Sequence, residues 1–449
     1  MTKQTRVPRG EYPRPQWQRR DWLCLNGTWE FRFDESGEIL ADRELSDRLK
    51  GEITVPFCFE SPLSGIGDTT YHNRVWYSRE ITIPRAWPLE RIMLHFGAVD
   101  YLATVWVNDV EVAHHRGGHV PFSFDIAPFL KGRKARIVVC AEDSPSIFQP
   151  RGKQFWRTKS AGCHYTRTTG IWQTVWMEPL PKSSIRSARY YPDIKAGSLR
   201  MVFTLDGARP GQRLNVAASL SGKRVAAASA EVGYGAVELT LRIPKARLWS
   251  PESPTLYDLA ITLSEGRRVI DAVSSYAGIR EVSVRNGKWC LNGRPYFQRL
   301  ILDQGYWPDG IMTAPTDEAL RKDVELTLAF GFNGARKHQK VEDPRWLYWA
   351  DKLGLLVWGE MPSAYSWRPE MEEPFTDEWL ESIERDFNHP CIVTWTPFNE
   401  SWGIHRVFQL SPICGDEGDS LVWMGGVAPQ PRCFVLDSGE AKQRYCHVA

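Results

Sequence analysis

From Phe297 to Glu400 the chain repeats a pattern that few folds accommodate, short apolar runs alternating with amphipathic segments. "FQRLILD", "FNGARKH", "LLVWGEMP" and "CIVTWTPFNE" read as strands. Three helices are predicted between them. They are "TDEALRKDVELTLAFG" (316–331), "EDPRWLYWADKLG" (342–354) and "TDEWLESIERDFN" (376–388). Gly331 and Gly354 stand after the first two, and Pro344 lies in the first turn of the second, where its missing N–H costs nothing. Strands joined by helical crossovers run parallel, and a parallel sheet needs cover on both faces. The series therefore predicts the first half of an eight-stranded β/α barrel.

The chain before it has a different texture. "NGTWEFRF", "RIMLHFGAVDYLATVWVNDVEVAHH", "ARIVVCAED" and "IWQTVWMEPL" alternate apolar and polar residues, with Asn108-Asp109 suited to a tight hairpin. Residues 1–182 are expected to form a jelly-roll sandwich. Residues 183–282 carry short strands separated by Gly- and Pro-bearing turns, the spacing of an immunoglobulin-like sandwich. Residues 283–407 hold the half barrel. Residues 408–449 lack both periods, and a frameshifted reading frame is the first explanation of this tail.

Composition narrows the partners. The chain has 449 residues and a net charge of +2, so nothing points to nucleic acid or to a membrane surface. No apolar run approaches the roughly 20 residues of a membrane helix. The N-terminus lacks the apolar core of a signal peptide, and the nine scattered cysteines suit reduced thiols, so a cytoplasmic location is expected. Twenty tryptophans and fifteen tyrosines fit either sugar-stacking surfaces or large β-sandwich cores.

Polar residues gather where the barrel strands end: Asp303, Arg336 with His338, Glu360, and Asn399 with Glu400. In a β/α barrel the C-terminal ends of the strands form the active-site face. A carboxylate there can be a general acid, a nucleophile or a metal ligand. Glycoside hydrolysis normally requires two carboxyl groups flanking the scissile bond.

The domain order, with "DFNHPCIVTWTPFNESWG" closing the fourth strand, resembles glycoside hydrolase family 2, which includes β-galactosidases, β-glucuronidases and β-mannosidases. "LNGTWEFRFD", "VWYSREITIP", "LHFGAVDYLATVWVN" and "GHVPFSFDIAPFL" resemble its sugar-binding domain. Thr394 and Thr396 depart from the commonest signature, and "FNGARKHQK" keeps Arg-x-His without the frequent His-Tyr-Pro. The resemblance implies hydrolysis of terminal β-O-glycosidic bonds, β-galactosidase-like and retaining in the complete form. Glu400 would be the general acid/base. Asn399 would contact the sugar 2-hydroxyl, and Arg336, His338, Asp303, Glu360 and Trp402 would bind substrate.

The nucleophile of this family is a second Glu at the end of the seventh strand. Three more barrel units take about 90 residues, whereas 49 follow Glu400. The expectation is a C-terminally truncated barrel with no nucleophile and with its fourth strand an unpaired edge. The alternative is a non-catalytic carbohydrate-binding or accessory protein using the two β domains. The resemblance implies no required cofactor. Some members hold Mg²⁺, for which no ligand set is assigned here, and homo-oligomers are common.

Overall fold

The computed structural model describes residues 7–37, 50–233 and 236–399, together with two short strands in the tail. The first 180 residues form a sandwich. A six-stranded antiparallel sheet (Gly51–Val55, Gly27–Phe33, Arg74–Thr82, Lys134–Glu142, Leu102–Val107, Val110–Arg116) faces a four-stranded one (Leu23–Cys24, Val175–Pro179, Ile92–Phe96, Phe122–Asp125). Period-two alternation puts Phe31, Tyr77, Val105 and Val139 of one sheet against Leu94, Phe96 and Met177 of the other. The hairpin at Asn108-Asp109 has both residues at positive φ, 49° and 71°, as a two-residue turn of this hand requires.

The second unit pairs a three-stranded sheet (Ser184–Asp193, Ser198–Asp206, Val237–Arg242) with a four-stranded one (Lys223–Glu231, Gln212–Leu220, Tyr257–Glu265, Arg268–Ala277). Met201, Phe203, Val216, Ile261 and Leu263 fill the space between them. This is the immunoglobulin-like sandwich. A small antiparallel sheet from Val282 to Pro295 follows, turning at Asn286-Gly287 and Asn292-Gly293.

Four parallel strands come next: β1 (Leu300–Asp303), β2 (Gly334–Lys337), β3 (Leu356–Glu360) and β4 (Ile392–Thr396). They are connected by α1 (Asp317–Ala329), α2 (Pro344–Leu353) and α3 (Glu372–Asp386). The Thr316 side chain accepts from Ala319 N and the Asp343 side chain from Arg345 N, satisfying N–H groups that a helix start leaves open. Helix α3 begins four residues before the predicted 376, because Pro374 falls in its first turn and does not break it. Ala335, Val357 and Trp395 pack outward against Leu320, Val324, Trp346, Leu347, Phe375 and Trp379 of the helices. Trp346 is completely buried, and Trp379 meets Trp395 edge to face at 5.8 Å.

One expectation is corrected. Strand β4 is not an unpaired edge, because β5 (Leu421–Trp423) runs antiparallel to it with Trp395 opposite Trp423. β6 (Cys433–Val435) pairs antiparallel with β5 in turn. Backbone N–H and C=O groups at a sheet edge take any complementary strand, and an antiparallel hairpin serves without a helical crossover. The inner face of the sheet is less covered: Leu302 remains 57 % exposed while Ala335, on the outer face, is fully buried.

Helix α3 also reaches the jelly roll. Glu378, 2 % exposed, accepts a 2.7 Å hydrogen bond from the His119 backbone N–H, and its Oε2 has no partner among the described residues. Burial pushes its carboxyl up to about 8, opposed by hydrogen bonds from His119 and Gly118 and reinforced by nearby Glu381. The folded state thus keeps a proton that the unfolded chain releases at its ordinary value of 4.5. Stability from this group falls as pH rises between those values and is level above them. Glu378→Gln is therefore expected to raise the melting temperature at pH 9 relative to the parent and to leave it unchanged at pH 4. Equal shifts at both pH values would contradict this.

Candidate active site

Side chains on neighbouring parallel strands share a face when their residues are in register. Leu302, Arg336 and Trp358 are paired across β1, β2 and β3, and Trp358 and Glu360 are paired with Thr394 and Thr396 of β4. These residues line the inner face, the side away from the helices. At its C-terminal end Arg336 Nε donates to Glu360 Oε2 at 2.5 Å, and a terminal nitrogen of Arg336 donates to Asn399 Oδ1 at 2.6 Å. The other Glu360 oxygen accepts from the Gln339 backbone N–H at 2.9 Å, with His338 Nδ1 3.2 Å away. Glu360 is 2 % exposed, so it acts on Arg336 and the Gln339 backbone and positions them.

The arrangement fixes the Asn399 amide. Its oxygen is held by the guanidinium, which leaves Nδ2 as a buried donor without a partner among the described residues. Asn399 is 2 % exposed, and a buried donor left unsatisfied costs about 1–3 kcal/mol. A ligand oxygen at this position would remove that cost. Glu400 and Trp402 lie outside the described residues. Trp395 belongs to the core between sheet and helices.

Asp303 is a correction. It is in register with Lys337, one residue beyond Arg336, and therefore faces the opposite side of the sheet. Asp303 Oδ2 accepts from Lys337 Nζ at 2.5 Å, and Oδ1 accepts from Gly305 N at 2.8 Å. Lys337 Nζ lies 2.7 Å from Glu342 Oε2, and Lys340 Nζ lies 3.1 Å from Glu342 Oε1. Burial pulls the Lys337 ammonium down, but Asp303 and Glu342 outweigh it, so its affinity for the proton rises. Burial likewise opposes the Glu342 carboxylate, yet Lys337 and Lys340 hold it down at about 2. This ion network braces the sheet from its helix side.

Sequence reasoning missed a loop of the jelly roll that packs against this end of the barrel. The backbone N–H groups of Arg151 and Gly152 donate to Ser363 O at 3.2 and 3.1 Å, and the Tyr365 hydroxyl donates to Gly152 O. Gly152 has φ +58°, and a Cβ there would stand 2.1 Å from Gln339 O. Tyr165 stacks on Tyr306 at 4.0 Å and donates to Gln304 Oε1 at 2.6 Å; Trp156 meets Tyr365 at 4.4 Å. The abundance of Trp and Tyr was the available signal, without a position attached.

Of possible metal ligands, Asp351, His389 and Cys391 come together, their ligand-type atoms within 4.8 Å of one another. The Asp351 oxygens already accept from Tyr276 Oη (2.8 Å), Cys391 N (2.8 Å) and, at 2.6 Å, His389 Nδ1. Burial pushes the Cys391 thiol well up, which keeps it protonated. Mg²⁺ takes oxygen ligands in octahedral geometry, which this Asp–His–Cys set does not offer.

Three family models match the chain in order. They are the sugar-binding domain of glycosyl hydrolases family 2 over residues 23–164, the family 2 model over 195–280, and its TIM barrel domain over 282–413. The chain belongs to glycoside hydrolase family 2. It is 26 % identical to a β-glucuronidase of Rattus norvegicus, covering 85 % of this chain and 64 % of that protein. A β-galactosidase of Thermoanaerobacter pseudethanolicus is also 26 % identical, with 87 % and 52 % covered. A putative β-glucuronidase of Formosa agariphila is 27 % identical, with 73 % and 40 % covered. The chain thus spans 40 to 64 % of the length of these relatives. A solved β-glucuronidase of Ruminococcus gnavus in complex with D-glucuronic acid shares the fold at a TM-score of 0.74 and 24 % identity. That alignment covers 89 % of this chain and 70 % of the other. No helix among the described residues is long and apolar enough to cross a membrane.

Proposed function

We propose that this chain carries the acid/base half of a retaining site that hydrolyses terminal β-O-glycosides. Asn399 is the observation that carries the reading. Its amide oxygen is fixed by Arg336, and its buried Nδ2 lacks a partner among the described residues, one residue before Glu400. In the reaction Nδ2 donates to the sugar 2-hydroxyl oxygen, a contact that strengthens as positive charge develops at the anomeric carbon. Glu400 protonates the leaving oxygen and then deprotonates the attacking water. A retaining mechanism needs a second carboxylate about 5–5.5 Å from the first. Glu360 is not that group, since both its oxygens are engaged within the protein.

The relatives' names make β-galactosides and β-glucuronides the first substrates to test. The chain is expected to bind the cognate monosaccharide. Asn399→Ala should weaken binding about tenfold, the equivalent of 1.4 kcal/mol. Turnover of an aryl β-galactoside, β-glucuronide or β-mannoside that vanishes in Glu400→Gln would support the acid/base role of Glu400. Sugar binding unaffected by Asn399→Ala would place the sugar elsewhere and favour an accessory module using the β domains.

A further inference from the structure

A cavity of about 100 Å³ lies where the N-terminal segment meets the jelly roll and the barrel, on different residues from the Asn399 cluster. Arg14, Gln16 and Trp17 line it from the segment, Gln173 and Trp176 from the jelly roll, and Arg345 from the start of α2. Four buried nitrogens on these residues have no acceptor among the described residues: Arg14 Nε, Gln16 Nε2, Trp17 Nε1 and Gln173 Nε2. Gln173 is 8 % exposed. The indole and Nε–H groups only donate, so reorienting amides cannot satisfy them. Unsatisfied buried donors are uncommon in folded proteins, and four on one cavity point to a missing acceptor.

Arg9, Arg14, Arg345 and Arg385 border the cavity, and each already pairs with a carboxylate: Arg9 with Glu11 and Asp343, Arg14 with Glu178, Arg345 with Asp317, and Arg385 with Asp386. Asp343 is the single carboxylate among the lining residues. Asp343 is already used, accepting from Arg9 at 2.9 Å and from Arg345 N at 2.8 Å. A neutral polyol brings hydroxyl donors as well as acceptors, whereas an oxyanion brings acceptors alone. Arg14 lies over the Trp176 ring at 5.2 Å, which orients its guanidinium beside the other donors.

We propose that this cavity is a binding site for a small oxyanion, a carboxylate or an inorganic phosphate or sulfate, that joins the N-terminal segment, jelly roll and barrel. The ligand would accept from Trp17 Nε1, Gln173 Nε2 and Arg14 Nε. It would stabilise the folded chain in proportion to its occupancy.

The test is a melting-temperature titration of the full chain with sodium phosphate, sulfate, acetate and glucuronate against sodium chloride of equal ionic strength. A saturable rise with at least one oxyanion, absent with chloride, is expected. A response to phosphate and sulfate alone assigns an inorganic ion; one to the carboxylates assigns an organic acid. Gln173→Met removes one donor at similar volume, and Trp17→Phe removes another with a smaller ring. Each should weaken the response about tenfold, the loss of about one hydrogen bond to a charged acceptor. Without ligand Gln173→Met should melt no lower than the parent, because it removes an unsatisfied donor at similar volume. A response that never saturates, or that both variants retain in full, overturns the proposal and leaves a cavity filled by water.

Discussion

Lys337→Met should lower the unfolding free energy by about 3–5 kcal/mol, the usual result of removing one partner from a buried ion pair. The side chain is 2 % exposed and serves two carboxylates, Asp303 at 2.5 Å and Glu342 at 2.7 Å. Its ammonium also lies over the Trp346 ring at 4.2 Å. Without it, among the described residues Asp303 keeps only the Gly305 N–H, and Glu342 keeps Lys340 and its own neighbour Asp343 N. Urea denaturation of parent and variant measures the loss. Adding Asp303→Leu should recover much of it, since an apolar replacement of the whole pair leaves no uncompensated charge. The pH dependence supplies a second check. Glu342 sits at about 2 in the folded chain against an ordinary 4.5, so its contribution is present above 4.5 and disappears as pH falls toward 2. Acid unfolding of Lys337→Met should therefore be shallower across that window. A parent-like urea midpoint would show that the network stabilises nothing.

Asp351→Ala should have a comparable effect at a different place. Its carboxylate collects Tyr276 from the immunoglobulin-like sandwich, His389 from the segment before β4, and the Cys391 backbone. Each buried donor left without an acceptor costs about 1–3 kcal/mol. Because Tyr276 belongs to one unit and Asp351 to the next, the variant should also loosen their coupling. Calorimetry should then resolve two transitions where the parent gives one. Tyr276→Phe in the Asp351→Ala background should add little, since the two residues share one interaction. Additive losses would contradict a shared hydrogen bond.

Much of the fold was legible because its signals are local. Both Asn-Gly pairs after residue 282 are turns at positive φ, and Gly331 and Gly354 follow their helices in left-handed conformations of 87° and 82°. The alternation of apolar runs with amphipathic segments is enough to specify parallel strands with crossovers. What stayed hidden depends on relations between distant residues. Asp303 looked like its neighbours at the strand ends, yet its pairing with Lys337 sends it to the other face, and register by one residue leaves no mark in a single sequence. The same holds for Glu360, whose partners lie 21 and 24 residues away. The jelly-roll loop is more than 200 residues from Tyr365, and no periodic pattern reports such a contact. The antiparallel pairing of β5 with β4 was missed for the same reason, since an edge accepts a strand through its backbone alone.

The glycine at position 152 has a consequence for recombining such chains. No side chain fits there, because the Gln339 carbonyl occupies the position a Cβ would take. The jelly roll and the barrel therefore meet at a contact that admits a single shape. A chimera that exchanges the first domain with that of a relative would inherit a loop cut for another barrel mouth. Exchange should fail when either residues 144–169 or 338–366 travel alone and improve when the two travel together. The unit of modularity would then be a seam shared by two domains, with neither domain separable on its own.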